Sequence, residues 1–257
     1  MTAPSRSALS AVVITKNAAG KLAACLSSLS FCDEILVVDS GSSDSTCEIA
    51  RSFNARIIEK PWLGFGRQKQ FAVDQASNDW VFCIDADEWV STRLAASIVQ
   101  ELKQPSAPVY RMARRNRFLG KWLRHGEGYP DWSLRLFDRR SARWSDDPVH
   151  EKVLYAVTPG TLEGDLMHES AESLREYIEK QNSYTSLAAQ QLFEHGQSAN
   201  ALRLLGSPVV RFIKFYVFRF GFLDGMPGFT HTVIGCMNSF TKYAKLAELN
   251  RPPDRSA

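Results

Sequence analysis

Two carboxylates one residue apart, Asp85 and Asp87, directly follow an apolar run that ends at Ile84. On a turn, carboxylates at positions i and i+2 can share a hard divalent cation, which prefers oxygen ligands. Such a cation keeps open positions for phosphate oxygens, so the pair indicates metal-assisted phosphate chemistry. The alternative is an acidic turn in which Glu88 and Ser91 begin the next helix.

A second polar segment, Val37–Asp44, joins a strand to a helix and is rich in serine and glycine. Such a turn brings backbone N–H groups close to a ligand, and Asp39 can accept hydrogen bonds from a ribose or a base. An ordinary strand-to-helix turn, with Ser43 or Asp44 as the helix cap, would have the same composition. The residue types alone leave both roles open.

The elements around these motifs alternate between short apolar strands and amphipathic helices. The predicted strands are Leu9–Ile14, Glu34–Asp39, Ala55–Ile58 and Trp80–Ile84. This alternation predicts an α/β fold whose parallel sheet is covered by helices on both faces. Ligands bind beyond the carboxyl ends of such strands, so three polar motifs are expected to meet in one crevice. These motifs are Thr15–Asn17, Asp39–Asp44 and Asp85–Glu88.

The chain has 257 residues, of which 44% are hydrophobic and 23% are charged, as in soluble globular proteins. This composition excludes a disordered, collagenous or disulfide-scaffold protein. The net charge of +3 gives no reason to expect a nucleic-acid partner. Five cysteines without a CxxC pair favour a reducing compartment, and no run of about 18 apolar residues predicts a membrane span. We therefore expect a cytoplasmic protein.

Basic residues are concentrated in the middle of the chain. Between Lys103 and Arg143 there are eleven Lys and Arg residues against three Asp and Glu residues, which predicts a positive field. The spacing of apolar residues becomes helical from Ser173 onward.

The segment Leu202–Leu223 is apolar and aromatic, and its only charged residues are basic: Arg203, Arg211, Lys214 and Arg219. We expect one basic amphipathic helix here, of a kind that suits an anionic membrane surface. Packing against the catalytic domain or a dimer partner would give the same pattern, so both readings remain open.

Three motifs taken together resemble family 2 glycosyltransferases: Thr15-Lys16-Asn17 after the first strand, VVDSGSSDST at the second and IDADE at the fourth. The segments FGRQKQ from Phe65, DPVHEK from Asp147 and GFLDG from Gly221 are similar to the subgroup of β-1,4-glucosyltransferases that act on the lipopolysaccharide inner core. Many relatives have two adjacent Asp residues after the second strand, whereas this chain has Asp39-Ser40. The resemblance therefore leaves the contact to the base open.

The resemblance implies a GT-A (Rossmann-like) fold, a nucleoside diphosphate sugar as donor, and Mg²⁺ or Mn²⁺ as cofactor. It places Thr15, Asn17 and Asp39 in the nucleotide pocket. It places Lys69 opposite the diphosphate, a role that suits a point charge. The alternative for Lys69 is a solvated helix lysine.

By the same resemblance, Asp85 contacts the ribose or the metal, and Asp87 is a direct metal ligand. A late histidine sometimes completes the metal or diphosphate site in GT-A folds, and His168 is the candidate here because neutral imidazole is a competent ligand. The alternative for His168 is a hydrogen-bonded structural residue.

Inverting sugar transfer needs a base within hydrogen-bond reach of the acceptor hydroxyl. Glu151 is the candidate base, and His150 would orient it or the substrate. Asp131 and Asp147 are rivals for the role of base. The alternative for His150 and Glu151 is a surface pair on a loop.

These observations predict a GT-A domain over residues 1–170. They also predict a helical extension over residues 171–257, of a kind suited to membrane association. The predicted enzyme transfers glucose from UDP-glucose to a lipopolysaccharide core sugar, with inversion of configuration at the anomeric carbon. It would act at the cytoplasmic face of the inner membrane. A homo-oligomer is left open. The alternatives are another acceptor (polyprenyl phosphate or polysaccharide), a nucleotidyltransferase, and a catalytically inactive membrane scaffold. The chain lacks a basic Gly-rich loop after its first strand, which disfavours the nucleotidyltransferase.

Overall fold

The computed structural model describes residues 6–147, 151–169 and 173–251. The chain forms two compact units. One contains the residues up to 114 together with 132–168, and the other contains 115–131 together with the residues from 169 onward. The second unit therefore includes a segment, 115–131, that ends more than forty residues before the first C-terminal helix begins at Leu174.

Within the described ranges, nine strands form one sheet in the order β3-β2-β1-β4-β8-β6-β11-β5, with β7 paired to β6. A separate antiparallel pair joins β9 to β10. The strands are β1 (Leu9–Thr15), β2 (Glu34–Asp39), β3 (Arg56–Glu59), β4 (Trp80–Asp85), β5 (Glu88–Val90), β6 (Val109–Phe118), β7 (Lys121–Trp122), β8 (Asp131–Asp138), β9 (Arg143–Trp144), β10 (Val153–Leu154) and β11 (Gly160–His168).

The first four strands are parallel, as predicted. In their register Thr15 lies opposite Asp39, and Ile14 lies opposite Asp85, so the carboxyl ends of β1, β2 and β4 meet at one edge. The strands beyond the predicted parallel set make the sheet mixed, because β8 runs antiparallel to β4 and β11 runs antiparallel to β5. The sheet is mixed, since β8 adds to the edge of β4 in the opposite direction.

The central parallel strands, β1 and β4, are buried on both faces, which explains why their sequences are almost entirely apolar. Leu9, Ala11 and Val13 of β1 belong to one apolar cluster, whereas Val12 belongs to another on the opposite face. The first cluster includes residues of α1 and α4, and the second includes residues of α3. Among its described residues, the helices of this unit are α1 (Ala19–Ser27), α2 (Thr46–Ser52), α3 (Phe65–Gln75) and α4 (Thr92–Glu101).

The second unit is mainly helical. Phe118, Leu123 and Ile234 form its buried apolar cluster, and Tyr177 packs against them. Its helices are α5 (Leu174–Glu194), α6 (Ala201–Phe212) and α7 (Gly225–Leu249), with a π-helical segment at Ile213–Phe218 and a 3₁₀ turn at Gly221–Asp224. In the described part of the chain, none of the helices combines the length and the apolar character that crossing a membrane requires.

The prediction of one continuous helix over Leu202–Leu223 is wrong. The α-helix ends at Phe212, and the chain turns at Phe220, which has a left-handed backbone with φ of 56°. Hydropathy periodicity does not register such a break, because the apolar residues continue without interruption through it.

Replacement of Gly164 should destabilise the first unit. Gly164 has φ of +96°, and a Cβ at this position would overlap the backbone of Arg93 and Leu94 in α4. We expect Gly164→Ala to lower the free energy of unfolding by about 2 kcal/mol or more in urea titrations. Gly20→Ala in α1 is the matched control, because nothing lies within 4 Å of its added Cβ. Equal behaviour of the two variants would contradict the close approach of β11 to α4.

Candidate active site

The carboxylate of Asp39 organises the turn that follows β2. It is 1% exposed and accepts hydrogen bonds from the backbone N–H groups of Gly41 (2.9 Å) and Ser42 (2.8 Å), from Ser42 Oγ (2.5 Å) and from Thr15 Oγ1 (3.0 Å). Burial alone would raise the pKa of Asp39, but these hydrogen bonds outweigh it, so the pKa lies below its usual value. The carboxylate is therefore held ionised and in a fixed orientation.

Asn17 connects the end of β1 to the same turn. Its backbone is left-handed, with φ of 52°, a conformation that asparagine tolerates better than most residues. Its Oδ1 accepts from the N–H of Ser43 (2.8 Å), and its own N–H donates to Ser42 Oγ (2.8 Å). The structure thus brings the predicted residues Thr15, Asn17 and Asp39 together.

Asp85, at the end of β4, lies between two cations. Its Oδ1 is 3.1 Å from Lys69 Nζ, and its Oδ2 accepts from Arg135 Nη2 at 2.7 Å. Burial alone would raise the pKa of Asp85, but the charges of Arg135 and Lys69 outweigh it and hold the pKa well below its usual value. The carboxylate therefore stays ionised and belongs to an ion cluster.

Lys69 also contacts Glu151, the candidate base. Its Nζ lies 2.8 Å from Glu151 Oε1 and 4.9 Å from the centre of the Trp144 ring. The lysine side chain is only 6% exposed, so the alternative of a solvated helix lysine is wrong. Through Lys69, the structure brings Glu151 next to Asp85. His150, its predicted companion, lies outside the described residues.

Glu88 is the fully buried member of this cluster. Its carboxylate accepts from the N–H of Asp85 (3.0 Å), from Arg135 Nη2 (2.9 Å) and from Arg114 Nη1 (3.3 Å). The alternative in which Glu88 begins a helix is wrong, because it lies in strand β5; Ser91 alone caps α4. The cluster pairs three carboxylates with three cations, as burial of charge requires: Asp85, Glu88, Glu151, Lys69, Arg114 and Arg135.

Asp87 points to a different partner from Asp85. Its Oδ2 lies 3.6 Å from Nε2 of His168, which β11 carries next to β5. Of the rival carboxylates, Asp131 accepts from Asn116 Nδ2 at 3.5 Å, and the backbone carbonyl of Asp147 accepts from the N–H of Gly66 in α3 at 3.3 Å. The two carboxylates of the Asp85-Ala86-Asp87 turn thus have separate surroundings.

Comparison with known proteins identifies the family to which this chain belongs. The model of the family described as Glycosyl transferase family 2 matches residues 10–154, more than half of the chain. The chain belongs to this family. Its members' name describes the activity, so the protein is an enzyme that transfers sugars, as predicted.

Two relatives of this glycosyltransferase resemble it over nearly its whole length. LpsC of Rhizobium meliloti (strain 1021), a lipopolysaccharide core biosynthesis glycosyltransferase, is 34% identical over 93% of this chain and 91% of its own length. An uncharacterized glycosyltransferase of Rickettsia prowazekii (strain Madrid E) is 29% identical over 94% of this chain and 87% of its own. The predicted resemblance to lipopolysaccharide core enzymes is confirmed.

A solved structure confirms the GT-A fold. The mannosyltransferase PcManGT of Pyrobaculum calidifontis, determined in complex with GDP-Man and Mn²⁺, has a TM-score of 0.56 with 16% identity over 96% of this chain and 88% of that one. At this identity the likeness concerns the fold alone.

The side-chain atoms around Asp87 in this glycosyltransferase fit a divalent cation that takes few of its ligands from the protein. Among the described residues, no three metal-ligating side chains come together. A carboxylate oxygen and an imidazole nitrogen 3.6 Å apart can nevertheless be neighbouring ligands of Mn²⁺ or Mg²⁺, whose remaining positions would be open to phosphate oxygens and water. Asp85 fits less well, because Lys69 and Arg135 already neutralise it.

Sequence reasoning missed Arg135. It is 5% exposed within the otherwise apolar stretch Leu134–Phe137 of β8, and β8 places it beside Asp85 and Glu88. The available signal was a lone arginine in a strand with buried neighbours. A charge at such a position requires a carboxylate partner from another element, which the sequence does not identify.

Loss of Arg135 should destabilise the enzyme strongly, because Glu88 and Asp85 would lose a shared cation. We expect Arg135→Met to lower the free energy of unfolding by about 3–5 kcal/mol in urea titrations. Arg93→Met removes an ion pair with Glu163 in which both side chains are 74% exposed, and it should leave stability unchanged. Similar effects of the two variants would show that the cluster does not hold the site together.

Proposed function

We propose that this glycosyltransferase transfers glucose from UDP-glucose, with inversion, to a sugar of the lipopolysaccharide inner core. The acceptor class is supported by similarity to LpsC, which is named for lipopolysaccharide core biosynthesis. The chemistry rests on one observation: Lys69 lies within 3.1 Å of Asp85 and 2.8 Å of Glu151, at the edge where the strands end. A cation for a departing diphosphate and a carboxylate for an incoming hydroxyl are thereby adjacent.

The nucleotide would be recognised by the turn after β2. Asp39 is ionised and fixed by four hydrogen bonds, and Asn17 holds the neighbouring turn in place. These four bonds use the roughly four lone-pair sites of the carboxylate, so a hydroxyl of the ribose or a donor of the base would replace the Ser42 hydroxyl on Asp39. Thr15 donates its hydroxyl to Asp39, so we assign it to positioning that carboxylate.

Glu151 would act as the base. The acceptor hydroxyl gives its proton to a Glu151 carboxylate oxygen while the acceptor oxygen forms a bond to the anomeric carbon. The bond between the anomeric carbon and the phosphate oxygen breaks, and the electron pair leaves with UDP. Lys69 would stabilise the negative charge that grows on the diphosphate. A fixed cation in a partly buried site stabilises such a charge more strongly than a cation in water does.

Asp87 and His168 would hold Mg²⁺ or Mn²⁺. A bound divalent cation supplies Lewis-acid stabilisation of the diphosphate oxygens. The 3.6 Å separation of Asp87 Oδ2 and His168 Nε2 supports this assignment. Under the same assignment Asp85 is not a metal ligand, and its role is structural, within the ion cluster. We also propose that the enzyme works at the cytoplasmic face of the inner membrane, where a lipid-linked acceptor would lie.

Donor binding should stabilise the enzyme in a metal-dependent way. At about 100 times its dissociation constant, UDP-glucose should raise the free energy of unfolding by about 2.7 kcal/mol. Thermal unfolding with UDP-glucose and other nucleotide sugars, with Mn²⁺ or EDTA, measures this. Asp87→Asn should remove the part of the shift that depends on Mn²⁺, whereas Asp79→Asn, at the opposite end of β4, should keep it. Full metal dependence in Asp87→Asn would refute the ligand assignment.

Removal of the base should separate binding from transfer. Glu151→Gln keeps an oxygen for Lys69 but cannot take up a proton, so it should bind UDP-glucose normally and lose about 10²–10⁴-fold in transfer rate. The measurement is sugar transfer to isolated lipopolysaccharide core acceptor, with donor binding followed in parallel. Unchanged transfer would move the base to Asp131 or Asp147, whose Asn variants are the matched comparisons.

A further inference from the structure

Helix α6 exposes an apolar face in the second unit. None of the residues of Ala201–Phe212 is buried, although most are apolar. Leu202 is 81% exposed, Val210 is 66% exposed and Leu205 is 64% exposed. A helix of this composition normally packs its apolar side into a core. The exposed apolar side of α6 is therefore a candidate binding surface.

The segment after α6 extends this surface with aromatic rings. The π-helical segment and the left-handed Phe220 turn the chain sharply, and Phe218 is 73% exposed. Phe222 and Met226 continue the exposed apolar surface into the start of α7. A left-handed phenylalanine costs about 1–2 kcal/mol, so the turn that displays these rings is maintained against a local penalty.

This surface is almost free of acidic residues. From 195 to 247 the chain has six Lys and Arg residues and one acid, Asp224. Asp224 is 2% exposed, and its carboxylate accepts from the backbone N–H groups of Arg124 and His125. The exposed charge of the region is therefore positive.

The basic side chains next to the apolar face are not neutralised by carboxylates within the described residues, except for Arg211, which pairs with Glu127. The guanidinium of Arg203 donates to Gln197 Oε1 and to the carbonyl of Ser198, and Lys214 lies over the Phe215 ring at 5.1 Å. Charged groups without an acidic partner beside an exposed apolar face are complementary to an anionic amphiphile.

A groove of about 490 Å³ lies between these features. Val210 and Phe215 contribute apolar lining, and Arg203 and Lys214 contribute the charges. Ser207 also lines it, and its hydroxyl is buried without a hydrogen-bond partner in the described chain. The groove combines room for a hydrocarbon segment with donors for a phosphate.

We propose that this face, from α6 to the start of α7, binds the surface of a bilayer that contains anionic phospholipids. Lys214 and Arg203 contact the headgroup phosphates, and the rings at Phe218–Phe222 enter the interfacial region. The inference rests on the proposed function in so far as a lipid-linked acceptor requires such a surface. A symmetric dimer through the same face would place Lys214 and Arg203 of both copies close together, and like charges disfavour it.

Flotation of the purified full-length chain with vesicles tests this surface. We expect binding to vesicles of phosphatidylcholine mixed with phosphatidylglycerol, weak binding to phosphatidylcholine alone, and loss of binding at high salt. Lys214→Ala should weaken the partition coefficient on anionic vesicles about fivefold. Phe218→Ala should weaken it about tenfold, because an exposed ring no longer enters the interface. Arg175→Ala, an exposed arginine of α5 paired with Glu179, is the matched control and should bind normally.

Thermal stabilisation of the same variants by UDP-glucose distinguishes this inference from the proposed function. Normal stabilisation with lost vesicle binding in Lys214→Ala and Phe218→Ala supports the lipid surface. Equal binding to neutral and anionic vesicles, absence of binding by the wild-type chain, or a dimer in solution that Phe218→Ala dissociates would each overturn it. Failure of UDP-glucose to stabilise any variant would concern the donor assignment only.

Discussion

The carboxylate of Asp85 ends a buried strand and is matched by cations, beside a Glu88 carboxylate that has no access to water. Lys69 from α3 and Arg135 from β8 provide that match at 3.1 and 2.7 Å. The two partners come from elements on either side of Asp85 in the sequence, so the ion cluster fixes how α3 and β8 lie against β4. Glu151 joins through Lys69, and the candidate base is thereby placed by the same electrostatic requirement.

This cluster also explains how one short acidic turn can serve two purposes. Asp85 is committed to Lys69 and Arg135, whereas Asp87, two residues later, lies beside His168. Strand β11 brings the histidine there because it pairs with β5 in antiparallel register. The antiparallel edge of the sheet is thus what separates an internal carboxylate from one that can meet a cation and a phosphate.

The sequence predicted those parts of the site that depend on interactions between residues close together in the chain. Apolar runs determined β1, β2 and β4, and their parallel pairing brings Thr15, Asp39 and Asp85 to one edge. Arg135 was missed because its role depends on Glu88, which is 47 residues earlier in the chain. Strands β5 and β11 were missed for a related reason: they are short or polar, and their hydrogen-bonded partners define them. The break at Phe220 leaves no trace in the apolar pattern.

The two units use basic residues under opposite conditions. In the first unit Lys69, Arg114 and Arg135 face three carboxylates, so their field is largely cancelled beyond the cluster and acts at contact distance. In the second unit Lys214 and Arg203 have no carboxylate partner in the described chain, so their field extends over about a Debye length, roughly 8 Å at physiological salt. Ionic strength should therefore act on encounters with an anionic surface far more than on the ion cluster. The same side-chain chemistry serves precise placement in one unit and attraction in the other.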